Sequence, residues 1–451
     1  MEIKTCKIFL QKVSIILLIL YIFSNIAIAD LDKDLLSAIN RNSYGEFISL
    51  LEKGANPNAK DGRGVPVIYN AINSKKEEMA KALILKGAST SDSYFNNMSA
   101  LALSINHQLN EIASLLIDRG VDISVTTKSG TNVLMLAVKR DMPEIVKKIL
   151  SKKTIDINAK DKNGRTPLSI ALSEINLKMA LLLKSEGALP SNLLESSLIS
   201  DFESLKKFID LKAELEVRDI YGHTPLIIAF LSHNYEIASY LLKNKADINA
   251  RNNAGQSPAL IAAMQSDTEM LSLALQYNAD VLLGDANGLT PLSYAIFFDN
   301  YEIIGQIIEY NKSAIDAVDK NGCMPLIFAI VKPDKKIALR LISLGANLNI
   351  KKARSVLTSV IGIEDIEMTE RLIKDGARVN MKSSSYVSPL LMAINRNNYE
   401  IVKLLIQRGT NLDAKDRKGN TAIDYARKYA DKKLMQLLSE RGIFTKNKKV
   451  A

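Results

Sequence analysis

The chain has 451 residues, of which 47% are apolar and 24% are charged, and its formal net charge is +10. This composition supplies ample material for a buried core and excludes an intrinsically disordered chain. Two cysteines and three histidines, none of them in a metal-ligand spacing, exclude a disulfide-rich fold and give no basis for a metal or cofactor site.

The N-terminus has the residue order of a secretory signal peptide. Three lysines precede the apolar run Val13–Phe23, and the small-residue sequence Ala27-Ile28-Ala29 stands before Asp30. This order predicts a signal peptide over residues 1–29 that is cleaved after Ala29. An uncleaved membrane anchor is the alternative, because the apolar character extends with few interruptions to Ala29.

Cleavage would change the charge balance only slightly. Loss of three lysines and Glu2 lowers the formal charge from +10 to +8. The remaining excess is modest, and along the chain it forms no block outside the C-terminal tail at residues 443–451. The sequence therefore does not indicate a nucleic-acid partner.

Beyond Asp30 the chain repeats itself, and several of its prolines recur every 33 or 34 residues. Each proline suits the first position of a helix, where it loses no hydrogen bond, and a preceding Thr or Ser can cap the free N–H groups. A small residue four positions later allows close helix packing. The marking triplets are Thr166-Pro167-Leu168, Thr224-Pro225-Leu226, Ser257-Pro258-Ala259, Thr290-Pro291-Leu292, Met324-Pro325-Leu326 and Ser388-Pro389-Leu390.

Each repeat carries signals for a second helix and a turn. Eleven residues beyond the proline a glutamate commonly precedes an apolar residue, as in Glu236-Ile237, and a carboxylate favours the positive end of a helix. Twenty residues beyond the proline stands a glycine, or Asn278 and Asn311 in two repeats, which predicts a left-handed helix end. Turns of the form Asp-x-x-Gly, such as Asp219 to Gly222, then close the connection.

A turn, a helix, a tight loop and a second helix in 33 residues resemble the ankyrin repeat, from about Leu31 to Gly442. The resemblance implies an all-α ankyrin-repeat solenoid of about thirteen helix-turn-helix units with finger-like turns, over residues 30–442. Helix pairs are predicted to start near residues 34, 67, 100, 133, 167, 192, 225, 258, 291, 325, 356, 389 and 422.

The chain departs from the family pattern at particular places. The histidine usual after Thr-Pro-Leu is replaced, which puts its polar bridge between repeats in doubt; the replacements are Ser169, Ile227, Ser293, Ile327 and Leu391. The array is predicted to bend or open where connections are irregular. These are Leu189 to Asn192, the added residues near Lys312, and the connections without Asp-x-x-Gly at Tyr94 to Asn97, Lys351 to Ser355 and Ser383 to Val387.

The family resemblance implies that a partner protein is recognised on the finger tips and at the end of the first helix. Six residues beyond the proline position, repeats 7 to 10 carry Leu231, Met264, Phe297 and Val331, with Phe298 beside them. Exposed apolar residues with an aromatic at the centre predict a binding surface. The alternative is that these side chains pack against the adjacent repeat.

Finger-tip residues form a second candidate surface, which comprises Tyr221, His223, Gln256 and Leu289. Some of these would be ordinary solvated turn residues. Cys323 follows a turn glycine, and it is either a partly buried inert thiol or, in an oxidising compartment, a residue that pairs two chains.

These features favour an exported, monomeric protein-binding scaffold, secreted or periplasmic, that captures a partner on the concave face and acts on host proteins if it is secreted. A membrane-tethered structural adaptor and a periplasmic binding protein are the alternatives. An enzyme is not expected, because the chain shows no nucleophile elbow, phosphate loop or metal cluster and the repeats leave almost no room for one.

Overall fold

The computed structural model describes residues 30–91, 98–351, 353–381, 387–429 and 432–440. Helix pairs stand at all thirteen predicted places, which confirms the all-α repeat array. In the described residues the regular structure is helical, apart from isolated bridge residues such as the antiparallel pair Lys60 and Pro66.

Packing divides the chain into two compact bodies, Met1–Ser204 and Leu205–Ala451. The boundary falls in repeat 6, within α12 (Phe202–Asp210), shortly after the short connection at Leu189 to Asn192. Before α12, the helices of the N-terminal body are α1 (30–41), α2 (Tyr44–Glu52), α3 (Val67–Asn73), α4 (Glu77–Leu85), α5 (Ala100–Asn106), α6 (Asn110–Asp118), α7 (Val133–Lys139), α8 (Pro143–Ser151), α9 (Pro167–Ser173), α10 (Leu177–Ser185) and α11 (Leu193–Leu198).

The C-terminal body contains repeats 7 to 13. Its helices are α13 (Pro225–Leu231), α14 (Tyr235–Lys243), α15 (Pro258–Met264), α16 (Thr268–Gln276), α17 (Pro291–Phe297), α18 (Tyr301–Tyr310), a 3-10 turn (Lys312–Asp316), α19 (Pro325–Ile330), α20 (Lys336–Ser343), α21 (Val356–Gly362), α22 (Ile366–Lys374), α23 (Pro389–Asn395), α24 (Tyr399–Gln407), α25 (Ala422–Tyr429) and α26 (Lys432–Glu440).

The start of each first helix follows from its capping residues. In repeat 7 the Thr224 hydroxyl accepts from the backbone N–H of Ile227 at 3.3 Å, and Pro225 takes the first helical position. Met324 has no such hydroxyl, and α19 begins without a side-chain cap. The small residues predicted four positions later are fully or almost fully buried where neighbouring first helices meet; they are Ala171, Ala229, Ala262, Ala295, Ala329 and Ala393. The predicted helix-start pattern is confirmed at these repeats.

The finger turns have the predicted chemistry. In repeat 7 one carboxylate oxygen of Asp219 accepts from the backbone N–H groups of Tyr221 and His223, both at 2.8 Å. Gly222 adopts a φ of +75°, which a side chain would strain. Asn252 plays the same role as Asp219 in repeat 8, since its Oδ1 accepts from Ala254 and Gln256. An amide oxygen therefore replaces the carboxylate without loss of the turn.

One predicted helix end is wrong. Asn278 has the expected left-handed backbone, with a φ of +62°, but Asn311 has an extended φ of −145°. The residues added near Lys312 fold into the 3-10 turn, and the Asn311 side chain caps that turn by accepting from the N–H of Ser313 at 3.0 Å. The chain thus absorbs the insertion locally, with no left-handed residue at the end of α18.

Some sequence expectations lie outside the described residues. These are the signal segment 1–29, the connection from Tyr94 to Asn97, the residues 383–386, and Gly442 with the tail 443–451. In the connection at Lys351 to Ser355, the Arg354 N–H donates to the Gly322 carbonyl at 2.6 Å. This finger stays bonded to the one before it, although it lacks the Asp-x-x-Gly pattern.

Candidate protein-binding face

The four residues Leu231, Met264, Phe297 and Val331, here called the apolar stripe, stand at the same place in successive repeats. The first three end helices α13, α15 and α17, and Val331 directly follows α19. Phe297 is 65% exposed and Val331 54%, Leu231 is 38% exposed, and Met264 is half-buried. Phe297 and Val331 therefore keep more than half of their surface accessible within the C-terminal body, and Leu231 more than a third.

Side chains of the next repeat bond to the main chain of two stripe residues. The Gln265 side-chain amide donates to the Leu231 carbonyl at 3.0 Å, and the Lys332 ammonium donates to the Phe297 carbonyl at 2.9 Å. These bonds use the main chain of the stripe residues and leave their side chains free. The stripe is thus a set of exposed apolar groups on a fixed backbone, which is how binding hot spots are built.

Aromatic side chains gather at the centre of this face. Phe298 is 48% exposed and meets the Phe297 ring edge to face at 5.1 Å between centroids. On its other side it stacks on Tyr294 at 6.4 Å, and the Tyr294 hydroxyl donates to Asp285 Oδ2 at 2.9 Å. Burial, and then the Asp285 carboxylate, raise the pKa of Tyr294 to about 12. A continuous line of contacts therefore runs from the repeat 9 finger to the stripe.

Two residues of this face were not among the predicted site residues. Tyr294 and Phe328 stand three positions beyond the proline of repeats 9 and 10, and both are half-buried. The repeat pattern gives this position no special mark, but the same place in repeats 7 and 8 holds the buried Ile228 and Ile261. The sequence signal that could have identified Tyr294 and Phe328 is therefore the change from an aliphatic to an aromatic residue at this repeat position.

The finger-tip candidates occupy different environments. Gln256 lies next to the stripe, since its amide contacts the Met264 sulfur at 3.4 Å. Leu289 is half-buried at the corresponding place in the next finger. Tyr221 is exposed at the tip, and its ring lies 5.6 Å from that of His223. His223 is held inward, with Nδ1 at 2.9 Å from Asp219 Oδ2, so it serves the turn.

Cys323 is a half-buried free thiol at the equivalent place in repeat 10. Burial, and then the Asp319 carboxylate, raise its pKa, while the Arg354 cation acts in the opposite direction. A raised pKa reduces the thiolate fraction and hence the reactivity of the sulfur.

Comparison with known proteins decides the family. The family model described as Ankyrin repeats (3 copies) matches residues 108–192, 244–315, 259–352 and 358–449, and a single-repeat model described as Ankyrin repeat matches 221–253. The chain belongs to the ankyrin repeat family. Ankyrin repeats indicate a protein-interaction scaffold, and no enzyme family is indicated.

Several ankyrin proteins share parts of the sequence. An I-kappa-B like protein N2 of Microplitis demolitor bracovirus is 39% identical over 85 residues, or 18% of this chain and 46% of its own length. Putative ankyrin repeat proteins of Treponema pallidum and Borreliella burgdorferi are 28% and 27% identical, over 27% and 30% of this chain and over 41% and 61% of theirs. The match thus covers less than two thirds of each relative.

The described helices of the ankyrin array are short. None of them is long and apolar enough to cross a membrane. Within the same residues, no group of three or more His, Cys, Asp or Glu side chains is placed to hold a metal ion.

Proposed function

We propose that this ankyrin protein is an exported scaffold that captures a partner protein on the inner face of its C-terminal body. The apolar stripe with Phe298 carries this proposal. Scattered exposed apolar residues are normal on soluble proteins, but a row at the repeat spacing with two aromatics in contact is a concentrated apolar surface. Aromatic residues at the centre of a patch are the residue types that dominate binding energy in protein interfaces.

Export rests on the N-terminal sequence. A basic stretch, an apolar run and the Ala27-Ile28-Ala29 site together favour cleavage and release, either outside the cell or into a periplasm. If the protein leaves a host-associated cell, the partner is a host protein; if it stays in a periplasm, it is a periplasmic binding protein. Retention of residues 1–29 would make it a membrane-tethered adaptor with the same binding face.

The mass of the N-terminal peptide of the purified protein tests export directly. A first residue of Asp30 supports cleavage, and a first residue of Met1 contradicts it and favours the tethered adaptor. Fractionation of the producing cells then distinguishes periplasmic retention from secretion.

Site-specific crosslinking tests the binding face. A photoreactive benzoylphenylalanine at position 298 should crosslink the partner, whereas the same group at Tyr310 should not. Tyr310 is a matched control because it is an exposed aromatic of the same body and the last residue of α18, the helix whose first residue follows Phe298 closely. The double change Phe297→Asp with Phe298→Ser should abolish capture without unfolding, while Tyr310→Ser should preserve it. Equal crosslinking at both positions would reject this face.

A further inference from the structure

The finger tips beside the apolar stripe carry a separate feature, which is a row of exposed cations. Arg218, Arg251, Lys320 and Arg354 are exposed and stand on the fingers of repeats 7, 8, 10 and 11. Along the sequence they are more than 30 residues apart and look like a dilute basic excess. Repeat stacking brings them to one edge of the C-terminal body.

Hydrogen bonds between fingers establish that edge. The N–H groups of Asn253, Ala286 and Lys320 donate to the carbonyls of Tyr221, Ala254 and Asn287, at 2.9, 2.9 and 3.0 Å. The arginines reinforce this ladder through their guanidinium groups, which donate to carbonyls of the neighbouring finger. Arg218 donates to the Arg251 carbonyl at 2.6 Å, Arg251 to Gly284 at 2.7 Å and Arg354 to Asn321 at 3.2 Å.

The carboxylates of the same fingers do not neutralise these cations. Asp219, Asp285 and Asp319 each accept two backbone N–H groups of their own turn, and Asp285 and Asp319 are buried. Across the part of the chain that the structure describes, none of the four cations has a carboxylate within 4.0 Å. In contrast, Arg165 of the N-terminal body is paired with its turn carboxylate Asp161 at 2.8 Å.

The opposite edge of the stripe carries carboxylates as well as a cation. Asp299 pairs with Lys332, whose Nζ lies 2.6 Å away, and Asp267 lies 2.7 Å from Nδ1 of His233. The apolar stripe is therefore bordered on its finger side by positive charges that have no carboxylate partner. Gln256 and Tyr294 connect that side to the stripe through their contacts with Met264 and Phe298.

We infer that the occupant of this face is an acidic amphipathic protein segment, whose apolar side chains cover the stripe and whose carboxylates face the finger cations. This inference rests on the proposed function and specifies the chemistry of the partner. An arginine whose guanidinium already donates to carbonyls keeps its full charge, so it attracts a carboxylate without having to be reoriented. A row of such charges gives register and orientation, while the apolar contacts supply most of the affinity.

Three synthetic peptides of about 18 residues test the inference. They share the same two Phe and two Leu at helical spacing and differ only in the remaining positions, which are mainly Glu, Gln or Lys. Binding of the whole protein is measured by fluorescence anisotropy at low and high salt. The Glu peptide should bind at least about tenfold more tightly than the Gln peptide at low salt. This advantage should largely vanish near 1 M salt, where the screening length falls to about 3 Å.

Variants of the protein test whether the preference for the Glu peptide comes from the finger cations. Lys320→Glu should weaken the Glu peptide about fivefold and leave the Gln peptide unchanged, because only the backbone N–H of Lys320 takes part in the finger ladder. Lys312→Glu makes the same charge change on the exposed 3-10 turn of the same body and should alter neither peptide by more than about twofold. Phe297→Asp should weaken the binding of both peptides.

Several results would overturn the inference. These are a Glu peptide that does not bind, equal affinities for the three peptides, a preference for the Lys peptide, or equal effects of Lys320→Glu and Lys312→Glu. Tighter binding of a single-stranded oligonucleotide that is insensitive to Phe297→Asp would assign the cations to nucleic acid instead. If the three peptides bind the original protein with equal affinity and Phe297→Asp weakens the binding of each, the proposed binding face stands and its acidic specificity falls.

Discussion

The two bodies use the same repeat position in opposite ways. Six residues beyond the proline position, the N-terminal body has the polar residues Asn73, Asn106, Lys139 and Ser173 in repeats 2 to 5. The C-terminal body has the apolar stripe at this position in repeats 7 to 10. Seven of these eight residues end a first helix and Val331 directly follows one, so the backbone does not explain the difference. The two bodies differ in whether the side chain at this position takes part in the contact between repeats.

In repeats 2 and 3 of the N-terminal body, this side chain bonds to the next repeat. The Asn106 amide oxygen accepts from Arg140 of the next repeat at 3.2 Å, and Asn73 is bonded to His107 at 3.2 Å. In the C-terminal body the next repeat bonds the main-chain carbonyl instead, through Gln265 and Lys332. When the next repeat bonds to the main-chain carbonyl, the side chain at this position is not needed for the contact between repeats and can contact a partner. A binding face can therefore be created in this array without loosening the contact between repeats.

The fingers show a second contrast, and the largest expected effect follows from it. A Cβ added at Gly288 would lie 2.9 Å from the Lys320 backbone nitrogen, whereas one added at Gly164 meets no heavy atom within 4 Å. Both glycines have positive φ, at +84° and +76°. Gly288→Ala should therefore cost about 2–4 kcal/mol, the sum of backbone strain and a disrupted finger bond, and Gly164→Ala only about 1–2 kcal/mol.

Hydrogen exchange distinguishes the cost of backbone strain from the cost of disrupting the bond between fingers. In Gly288→Ala the Lys320 amide should exchange faster, because its bond to the Asn287 carbonyl is strained; in Gly164→Ala the Lys162 amide, bonded to Ser129, should keep its protection. Equal losses of stability in the two variants would show that contact between fingers contributes nothing, and that only the φ angle matters.

The next largest effect on the unfolding free energy is expected from the hydrogen bond between Asn106 and Arg140 in the N-terminal body. Asn106→Leu makes that position resemble the apolar stripe and leaves the half-buried Arg140 without this acceptor, at a cost of about 1–2 kcal/mol. The reverse exchange, Phe297→Asn, should change the unfolding free energy by less than about 0.5 kcal/mol because Phe297 is mostly exposed. Urea denaturation of both variants checks the pair. If Asn106→Leu left the unfolding free energy unchanged, the bond between Asn106 and Arg140 would not explain why the two bodies differ at this position.

Much of the fold was predictable because its signals are local. Thr224 before Pro225 and Gly222 in its turn each act within a few residues, and the spacing of such signals marks the repeats that carry them. The stripe was predictable from the same register, since it needs only a count from the proline. Asn311 was mispredicted because residues inserted after α18 gave its side chain a new turn to cap.

The rest of the face depends on stacking. Tyr294 becomes part of it only through the bond from its hydroxyl to Asp285 and the stacking of its ring on Phe298. Arg218 and Arg251 become neighbours only because their fingers bond to one another. A linear charge count treats these cations as separate, so the acidic specificity proposed here could not be read from the sequence.

An effect similar in size to that of Asn106→Leu concerns the link between finger and stripe in the C-terminal body. Tyr294→Phe removes the hydroxyl bond to Asp285, which retains its two backbone donors, and should cost about 1–2 kcal/mol at neutral pH. The pKa of Tyr294 is about 12 in the folded protein, above the value of 10.0 of an unperturbed tyrosine. Its contribution to stability is therefore fully present below about pH 10 and is lost as the pH rises towards 12.

Comparing the original protein with Tyr294→Phe isolates that contribution, since every other titrating group is common to both. The difference in unfolding free energy should be constant from pH 8 to 10 and should shrink between pH 10 and 12. A difference that does not change over this upper range would mean that the hydroxyl makes no protonation-dependent contact with Asp285. Phe298 would then rest on Tyr294 by ring stacking alone, and the finger would not hold the aromatic centre of the binding face through this bond.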